Sequence, residues 1–362
     1  MKTSLPLYIT CNKKINLLNF TYEQMRDFFI SIKEQAFCAD QIMKWIYHSY
    51  CDDFDQMTNI SKSLREKLKN ICIISAPVFI KENKSCDGTI KWGGRVNKNI
   101  IETVYIPEKK RSTICISSQI GCPLKCTFCA TGEKKFKGNL QVSEIIGQIW
   151  RASKIINSNN SNSMNHITNI VLMGMGEPLL NFKNVVNAIK IMLHKFGFNI
   201  SKNKITLSTV GIVPALDQLK DFVDINLAIS LHAPNNIMRS KIMRINKQYN
   251  IQKILHSVRR YLQTSKANKG GVTIEYVMLD GINDSHTDAE ELSSLLQNTP
   301  SKINLIPWNI FPQSSYKTSS DQRIKAFSEI LIKKGFITII RKNRGMDINA
   351  ACGQLNSEIY QY

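Results

Sequence analysis

The sequence has no apolar run of about 18 residues, so no segment is predicted to span a membrane as a helix. Its first residues, Met1 to Pro6, are not followed by the apolar core of a signal peptide. Acidic side chains are scarce, with 28 Asp and Glu against 48 Lys and Arg. The first two absences argue against a membrane protein and a secreted protein and predict a cytoplasmic location. The third leaves the chain strongly basic.

The basic excess is the main compositional feature. The 362 residues carry a formal net charge of +20, with a pI of about 9.5. An excess of this size predicts a polyanionic partner such as nucleic acid. A general bias toward Lys, Asn and Ile is the alternative source of the charge, and charge does not distinguish RNA from DNA. With 43% hydrophobic residues, the chain is long enough for one large barrel domain and a smaller one.

Three cysteines stand close together between Gly121 and Ala130. Cys122, Cys126 and Cys129 have the spacing C-x3-C-x2-C. Zinc usually takes four ligands from two C-x2-C pairs, and no His near this run completes such a set. Three thiolates on a [4Fe-4S] cluster leave one iron open to chelate a small molecule. A cluster site is therefore predicted, and buried structural cysteines or an incomplete zinc site remain the alternatives.

The other cysteines form no comparable run. Ten cysteines in a reducing compartment are not expected to form a structural disulfide framework. Five are scattered and are predicted to be small buried or neutral residues, namely Cys11, Cys38, Cys51, Cys72 and Cys86. Cys115 and Cys352 each lie within a distinct short motif.

Hydrophobic spacing predicts three units in the chain, and the motif around Cys352 marks off a fourth. They are a helical accessory domain at 1–72, a β-rich linker or extension packing on the core at 73–111, a partial barrel at 112–345 and a C-terminal segment at 346–362. The first unit opens with a capping-box pattern at Thr21–Gln24, and its basic residues either face solvent or hold RNA phosphates. In the second unit, strands alternate with predicted turns at Asp87–Gly88 and Gly93–Gly94.

From residue 112 onward, strands and helices alternate. Predicted strands cover 169–173, 205–208, 225–230, 272–278 and 303–307, and a last apolar run covers 336–340. Predicted helices cover 185–193, 213–219, 251–262, 289–296 and 324–332, after a first helix with Ser143 as its N-cap. A polar segment, 157–163, is expected to be a mobile loop. About six βα units predict an α/β fold with parallel strands, short of a closed eight-stranded barrel, and ligand sites at the C-terminal strand ends.

Several motifs resemble those of one enzyme family. The cysteine run, with Phe128 before its last member, is similar to the signature of the radical S-adenosylmethionine (SAM) enzymes. Four further motifs are Cys115-Ile116-Ser117-Ser118-Gln119, Gly174-Met175-Gly176-Glu177-Pro178, Ser230-Leu231-His232-Ala233-Pro234 and Ala350-Ala351-Cys352-Gly353-Gln354-Leu355. Together they resemble the RlmN branch, the RNA adenine carbon-2 methyltransferases, from about Gln35 to Leu355. The resemblance implies a partial (β/α)6 radical SAM barrel with an N-terminal helical accessory domain.

The resemblance also implies cofactors and their ligands. Cys122, Cys126 and Cys129 would hold one [4Fe-4S] cluster per chain. Seven residues match positions that contact SAM in the family: Gly176, Glu177, Ser208, Ser230, Leu231, His232 and Asn309. Gly176 and Glu177 would hold the amino group of the SAM methionine. Without the resemblance, His232 is more readily explained as a packed residue at the end of a strand.

Carbon 2 of adenine is a poor acceptor for polar methyl transfer, and the family uses two SAM molecules. The resemblance implies that the Cys352 thiolate takes a methyl group from the first SAM. One electron from the cluster would then convert a second SAM into a radical that removes a hydrogen atom from this methyl group. The resulting carbon radical would add to the adenine ring. Glu102 would accept the ring proton, and Cys115 would release the product as a transient disulfide with Cys352 forms. A Glu102 that merely faces solvent is the alternative.

The implied substrates are an adenosine in the peptidyl-transferase centre of 23S rRNA and the adenosine 3′ of the anticodon in tRNA. The implied partners include an electron donor such as flavodoxin but no membrane, and a monomer is expected. Two rivals stay open: the sister activity that methylates carbon 8 of the same rRNA adenine, and a non-catalytic, zinc-bound RNA-binding module. The sequence departs from the family pattern at Lys135, Gly138, Met346 and Asn349, so RNA contacts there stay open.

Overall fold

The structure is a computed structural model that describes residues 14–159, 166–312 and 314–356. The expectations for Cys11, for 160–163 of the polar segment and for 357–362 of the C-terminal segment lie outside the described residues. Within the described ranges, no helix is long and apolar enough to cross a membrane.

Three helices dominate the N-terminal part of the described chain. The helices are α1 (Tyr22–Ser31), α2 (Cys38–Tyr47) and α3 (Lys62–Ile71). Two short strands, β1 (Ile15–Asn16) and β2 (Cys72–Ile73), form a small parallel pair. The predicted capping box is confirmed, because Thr21 and Gln24 exchange side-chain and backbone hydrogen bonds at the start of α1. These helices pack on the main core, where the Trp150 indole N–H donates to the Ile46 carbonyl over 2.7 Å.

One ten-stranded sheet organises the rest of the described chain. Its antiparallel part consists of β3 (Val78–Lys84), β4 (Ile90–Val96) and β5 (Asn99–Glu108), and β5 also pairs antiparallel with β6 (Arg111–Cys115). A separate antiparallel pair closes the base of the cysteine loop between its strands β7 (Gln119–Ile120) and β8 (Gly138–Asn139).

From β6 onward, the main sheet is parallel. Its next strands, in spatial order, are β9 (Asn169–Leu172), β10 (Ile205–Thr209), β11 (Asn226–Ser230), β12 (Val272–Met278), β13 (Ser301–Pro307) and β14 (Ile337–Ile340). The helices of this part are α4 (Ala130–Glu133), α5 (Val142–Asn159), α6 (Phe182–Leu193), α7 (Val213–Leu219), α8 (Asn236–Ile242), α9 (Ile251–Thr264), α10 (His286–Leu296) and α11 (Asp321–Lys333).

Each new parallel strand is added beside the preceding one, with helices between. Six βα units therefore lead from β6 to β14, and the two outer strands of the sheet, β3 and β14, do not pair with each other. This arrangement confirms the predicted partial (β/α)6 barrel. It also brings the C-terminal ends of seven parallel strands to one side of the sheet, where ligand sites of such folds lie.

Three local predictions are wrong. Gly93–Gly94 is no turn but lies inside β4, because the ring of Phe79 packs against Gly94, where an added Cβ would lie 3.4 Å from that ring. Ser143 is not an N-cap, because α5 begins one residue earlier and the Ser143 N–H donates to the Asn19 side chain over 2.8 Å. Residues 157–159 of the expected loop continue α5.

Candidate active site

A cavity of about 150 Å³ lies at the C-terminal ends of the parallel strands. The three thiols of the cysteine loop, Cys122, Cys126 and Cys129, line one part of it. Six of the seven predicted SAM-contact residues also line it, namely Gly176, Glu177, Ser208, Ser230, His232 and Asn309. Leu231 is not in this lining: its side chain is buried, and its N–H donates to the Glu275 carbonyl.

Two hydrogen bonds to its backbone hold the cysteine loop against later parts of the chain. The Trp308 indole N–H, after β13, donates to the Phe128 carbonyl over 3.0 Å. The Ala130 N–H donates to the Gly353 carbonyl over 2.8 Å. The ring of Phe128 meets His232 edge-on at 4.8 Å. The loop is thus fixed between a strand end and the residue after Cys352.

The three thiols suit a cluster better than a single ion. Among the described residues, no group of three His, Cys, Asp or Glu side chains is placed to hold one metal ion. Burial raises the pKa of Cys122 to about 12 and raises the pKa values of Cys126 and Cys129, and repulsion between neighbouring thiolates adds to the rise for Cys126. Buried thiolates need a cation beside them, and a [4Fe-4S] cluster takes each one at a separate iron. This donor set fits a cluster.

Glu177 presents a buried carboxylate to the cavity. The carboxylate accepts hydrogen bonds from the Thr209 hydroxyl over 2.7 Å and from the N–H groups of Leu179 and Val210 over 3.0 Å each. Burial raises the pKa of Glu177 to about 7, although these three donors act to lower it. A carboxylate has about four acceptor positions. One position therefore remains for a cationic group in the cavity.

Gly176 is required by packing as well as by any ligand. Its φ of +99° lies in the region that favours glycine, and an added Cβ would lie 2.4 Å from the Cβ of Gln119. The Gln119 side chain in turn accepts from the Glu177 N–H over 2.8 Å. The glycine lets the loop after β9 lie flat on Gln119, and this contact aims Glu177 into the cavity.

Two further polar side chains that line the cavity, His232 and Asn309, can offer hydrogen-bonding groups to a ligand. The His232 Nδ1 accepts from the Val277 N–H over 3.0 Å, so the neutral ring carries its proton on Nε2. Burial, helped by the Arg239 charge, lowers the pKa of His232 to about 3 and keeps the ring neutral. The Asn309 amide donates to the Cys352 carbonyl over 3.0 Å, while its buried Oδ1 has no partner in the described part of the chain. The cavity thus offers one N–H donor and one oxygen acceptor here.

A second, smaller cavity of about 50 Å³ adjoins the first. Four residues line both cavities, namely Met173, Arg341, Cys352 and Leu355. Cys115 lines the smaller cavity only. The structure therefore brings the two motif cysteines, far apart in sequence, to one cavity, and it places Cys352 at the boundary. Both are free thiols.

Arg341 dominates the electrostatics of this boundary. Burial raises the pKa of Cys115 to about 12 and raises the pKa of Cys352, and the Arg341 guanidinium opposes the rise at both thiols. Its Nη1 lies 3.8 Å from a carboxylate oxygen of Glu275 on β12. Sequence reasoning missed Arg341. Its position directly after the last strand, β14, is the signal that would have found it.

Glu102 is fully buried on β5, so the solvent-facing alternative is wrong. The register pairs Val104 of β5 with Cys115 of β6. Glu102 precedes Val104 by two residues and shares its face, so it is a diagonal neighbour of Cys115, about 7–8 Å away. Glu102 lines neither cavity, and its carboxylate lies 3.1 Å from the Lys91 ammonium.

The segment that carries Cys352, residues 345–355, is anchored on two sides. Toward the cysteine loop, the Thr131 hydroxyl donates to the Leu355 carbonyl over 2.8 Å. Toward the β3–β4 turn, the Asp347 carboxylate accepts from the Ser85 hydroxyl over 2.6 Å. We call residues 345–355 the Cys352 segment.

Fold and cysteine loop together define a class of protein. An open parallel (β/α)6 sheet with a C-x3-C-x2-C loop at its C-terminal edge is the arrangement of a radical SAM enzyme. The sequence model of the radical SAM superfamily matches residues 116–292. A second family model, described as the ribosomal RNA large subunit methyltransferase N-terminal domain, matches residues 15–74.

A solved radical SAM methyltransferase from Sphaerobacter thermophilus is 36% identical to this chain, with a TM-score of 0.88, and the match covers 95% of this chain and 100% of that one. The chain belongs to the RlmN family of radical SAM methyltransferases. SuiB from Streptococcus suis, solved bound to S-adenosylmethionine, is 13% identical, with a TM-score of 0.46 over 64% of this chain and 50% of that one. Superfamily membership implies SAM and a [4Fe-4S] cluster as cofactors.

Proposed function

We propose that this chain methylates carbon 2 of adenosine in RNA, in the peptidyl-transferase centre of 23S rRNA and 3′ of the anticodon in tRNA. The observation that carries the proposal is the position of Cys352, which lines both cavities. The cysteine loop and Glu177 lie on one side of it, and Cys115 lies on the other. A sulfur at this boundary can take a methyl group from a donor in the larger cavity and pass the carbon to a base in the smaller one.

The larger cavity is the proposed site of the cofactors. Cys122, Cys126 and Cys129 would hold the cluster, and the open acceptor position of Glu177 would bind the amino group of SAM. When bound, these groups supply the methyl donor and one-electron chemistry. The Nε2–H of His232 and the Oδ1 of Asn309, which is unpartnered in the described ranges, are left to orient the rest of SAM.

The reacting side chains of the chain have distinct proposed roles. Cys352 is the nucleophile that takes the methyl group, and the Arg341 charge favours its thiolate. Glu102 accepts the proton from carbon 2 of the adenine. Cys115 then attacks the Cys352 sulfur and gives up its thiol proton. The bond from that sulfur to the carbon on the base breaks, the carbon keeps the electron pair and takes a proton to become the methyl group, and the methylated base leaves as the disulfide forms. The disulfide must be reduced before another turnover.

Charge supports an RNA substrate. The chain carries a net charge of +20, and Arg341, Lys342 and Arg344 line the smaller cavity. A basic wall of this kind suits the phosphates beside a base that has been drawn out of an RNA strand. A cytoplasmic location, a monomeric state and an electron donor such as flavodoxin belong to the same proposal.

The test uses anaerobically purified, iron-loaded protein with SAM and either 23S rRNA or tRNA. Mass spectrometry of peptides and of digested RNA should find a methyl group on Cys352 and 2-methyladenosine. Both should be lost in Cys352→Ala and retained in Cys86→Ala, an exposed thiol outside both cavities. Finding 8-methyladenosine would instead identify the sister activity. An unmethylated Cys352 in loaded protein, or stoichiometric zinc without iron, would contradict the proposal.

A further inference from the structure

A fully buried ion pair lies on the face of the sheet that carries Cys115. The Lys91 ammonium on β4 lies 3.1 Å from a carboxylate oxygen of Glu102 on β5, and both side chains are 0% exposed. The register places Lys91 opposite Val104 and Glu102 opposite Gly93. Because Gly93 has no side chain, no side chain of β4 lies between the Glu102 carboxylate and the Lys91 ammonium.

The same ammonium reaches the Cys352 segment. Lys91 Nζ donates to the backbone carbonyl of Asn349 over 3.0 Å, three residues before Cys352. Asn349 has a φ of +51°, a left-handed conformation that Asn adopts more readily than most residues. The contact uses a backbone oxygen, so the departure from the family pattern at Asn349 leaves it unchanged. One cation therefore joins β5 to the segment that carries the nucleophile.

Stability does not explain this pair. Taking two charges out of water costs about as much as their attraction returns, and apolar replacements of such pairs are often neutral or stabilising. Other contacts already hold the segment to the β3–β4 turn, since Asp347 binds the Ser85 hydroxyl and the Cys86 N–H. What the lysine adds is a positive charge beside a buried carboxylate, which favours the ionised form that a proton acceptor must have.

We propose that Lys91 is a positioning residue that keeps Glu102 ionised and oriented beside Cys115 and the Cys352 segment. This inference rests on the proposed function. The step that it serves is a proton transfer: the adduct would return its unpaired electron to the one-electron centre proposed for the larger cavity, the carbon 2–hydrogen bond of the adenine bound to Cys352 breaks, its electron pair stays with the ring, and the proton goes to the Glu102 carboxylate. Methylation of Cys352 precedes this step and does not need Glu102.

The test compares Lys91→Met with Lys98→Met in the iron-loaded protein. Lys98 is an exposed lysine of the same β4–β5 hairpin, so its variant is the matched control. Methylation of Cys352 without RNA should change less than about fivefold in Lys91→Met, whereas RNA methylation should fall by about 100-fold or more, the usual effect of losing a general base. A covalent Cys352–RNA adduct should accumulate on denaturing gels. Lys98→Met should behave as wild type.

A double-mutant cycle tests whether Lys91 acts through Glu102, and the retained methylation of Cys352 separates this role from a merely structural one. In a Glu102→Gln background, Lys91→Met should lower RNA methylation by less than about threefold further, because the residue it acts through is already gone. Equal losses of Cys352 methylation and RNA methylation, or full additivity, would overturn the inference. A wild-type protein that forms neither methyl-Cys352 nor methyladenosine would defeat the proposed function itself, which is a different result.

Discussion

The two cavities meet at Cys352 but are built in different ways. The larger one takes its polar residues from successive strand ends: Glu177 after β9, Ser208 on β10, Ser230 on β11 and Asn309 after β13. The smaller one joins β5, β6 and the last described residues of the chain. Its two thiols come from opposite ends of the barrel sequence. The first cavity is thus a product of the repeating fold, whereas the second depends on how the chain's extensions dock onto it.

The charges of the two linings also differ. Glu177 and Glu275 line the larger cavity, which suits the cationic ammonium and sulfonium of SAM. Lys342 and Arg344 line the smaller one alone, which suits an anionic RNA backbone. Arg341 lines both, beside Cys352. Under the proposed function, the acidic lining favours SAM in the larger cavity and the basic lining favours RNA in the smaller one, on opposite sides of the Cys352 sulfur.

The largest loss of methylation is expected when a thiol of the cysteine loop is removed. These thiols line only the larger cavity, which is the proposed cofactor site. Cys126→Ala should remove the cluster and leave no detectable methylation, since three thiolates are the only protein ligands that the motif supplies. Iron per chain and visible absorbance measure the loss. The smaller cavity should keep its structure, so circular dichroism should match that of Cys86→Ala. Wild-type iron content in Cys126→Ala would contradict the assignment.

A change confined to the smaller cavity should separate the two halves of the reaction. Cys115→Ala should still methylate Cys352 from SAM, because Cys115 does not line the larger cavity. RNA methylation should fall by about 100-fold or more, because the second thiol that releases the product is missing. Denaturing gels should show RNA bound covalently to the chain in Cys115→Ala and none in Cys352→Ala. Normal turnover in Cys115→Ala would refute its proposed role.

Glu177 tests the larger cavity without touching the cluster ligands. Glu177→Gln removes the negative charge that would bind the SAM ammonium, and a hydrogen bond to a charged group contributes about 1.5–3 kcal/mol. SAM affinity should therefore fall by about 10- to 100-fold in equilibrium dialysis. Glu144→Gln on α5 is the control, since that carboxyl lines neither cavity. Unchanged affinity would show that the ammonium binds elsewhere.

The same contrast explains what sequence could predict. Alternating strands and helices indicate a parallel sheet, and the ends of parallel strands converge, so most of the larger cavity follows from local pattern. The contact between Lys91 and Asn349 depends instead on hairpin register and on where the C-terminal segment docks. No local pattern encodes either. Gly93–Gly94 has the composition of a turn, and only the packing of Phe79 on the neighbouring strand makes it part of β4.

Leu231 and Arg341 show the limit of transferring motifs. Leu231 lies in a motif that resembles a SAM-contact motif of the family, and its side chain is buried in the core, because the strand end alternates buried and cavity-facing positions. Arg341 belongs to none of the motifs and yet lines both cavities. Its role depends on charge at a place where the fold brings two thiols together, which is a property of the tertiary structure.

The smallest loss of activity is expected from a substitution beside Cys352, where the two cavities meet. Asn309 holds the Cys352 carbonyl through one neutral hydrogen bond of 3.0 Å, and such a bond contributes about 0.5–1.5 kcal/mol. Asn309→Ala should therefore slow Cys352 methylation by roughly two- to tenfold, measured by mass spectrometry at short times without RNA. Asn298→Ala, at an exposed position after α10, should have no effect. If Asn309→Ala slowed RNA methylation but not Cys352 methylation, Asn309 would act in the smaller cavity. The assignment of the two reaction steps to the two cavities would then be wrong at this residue.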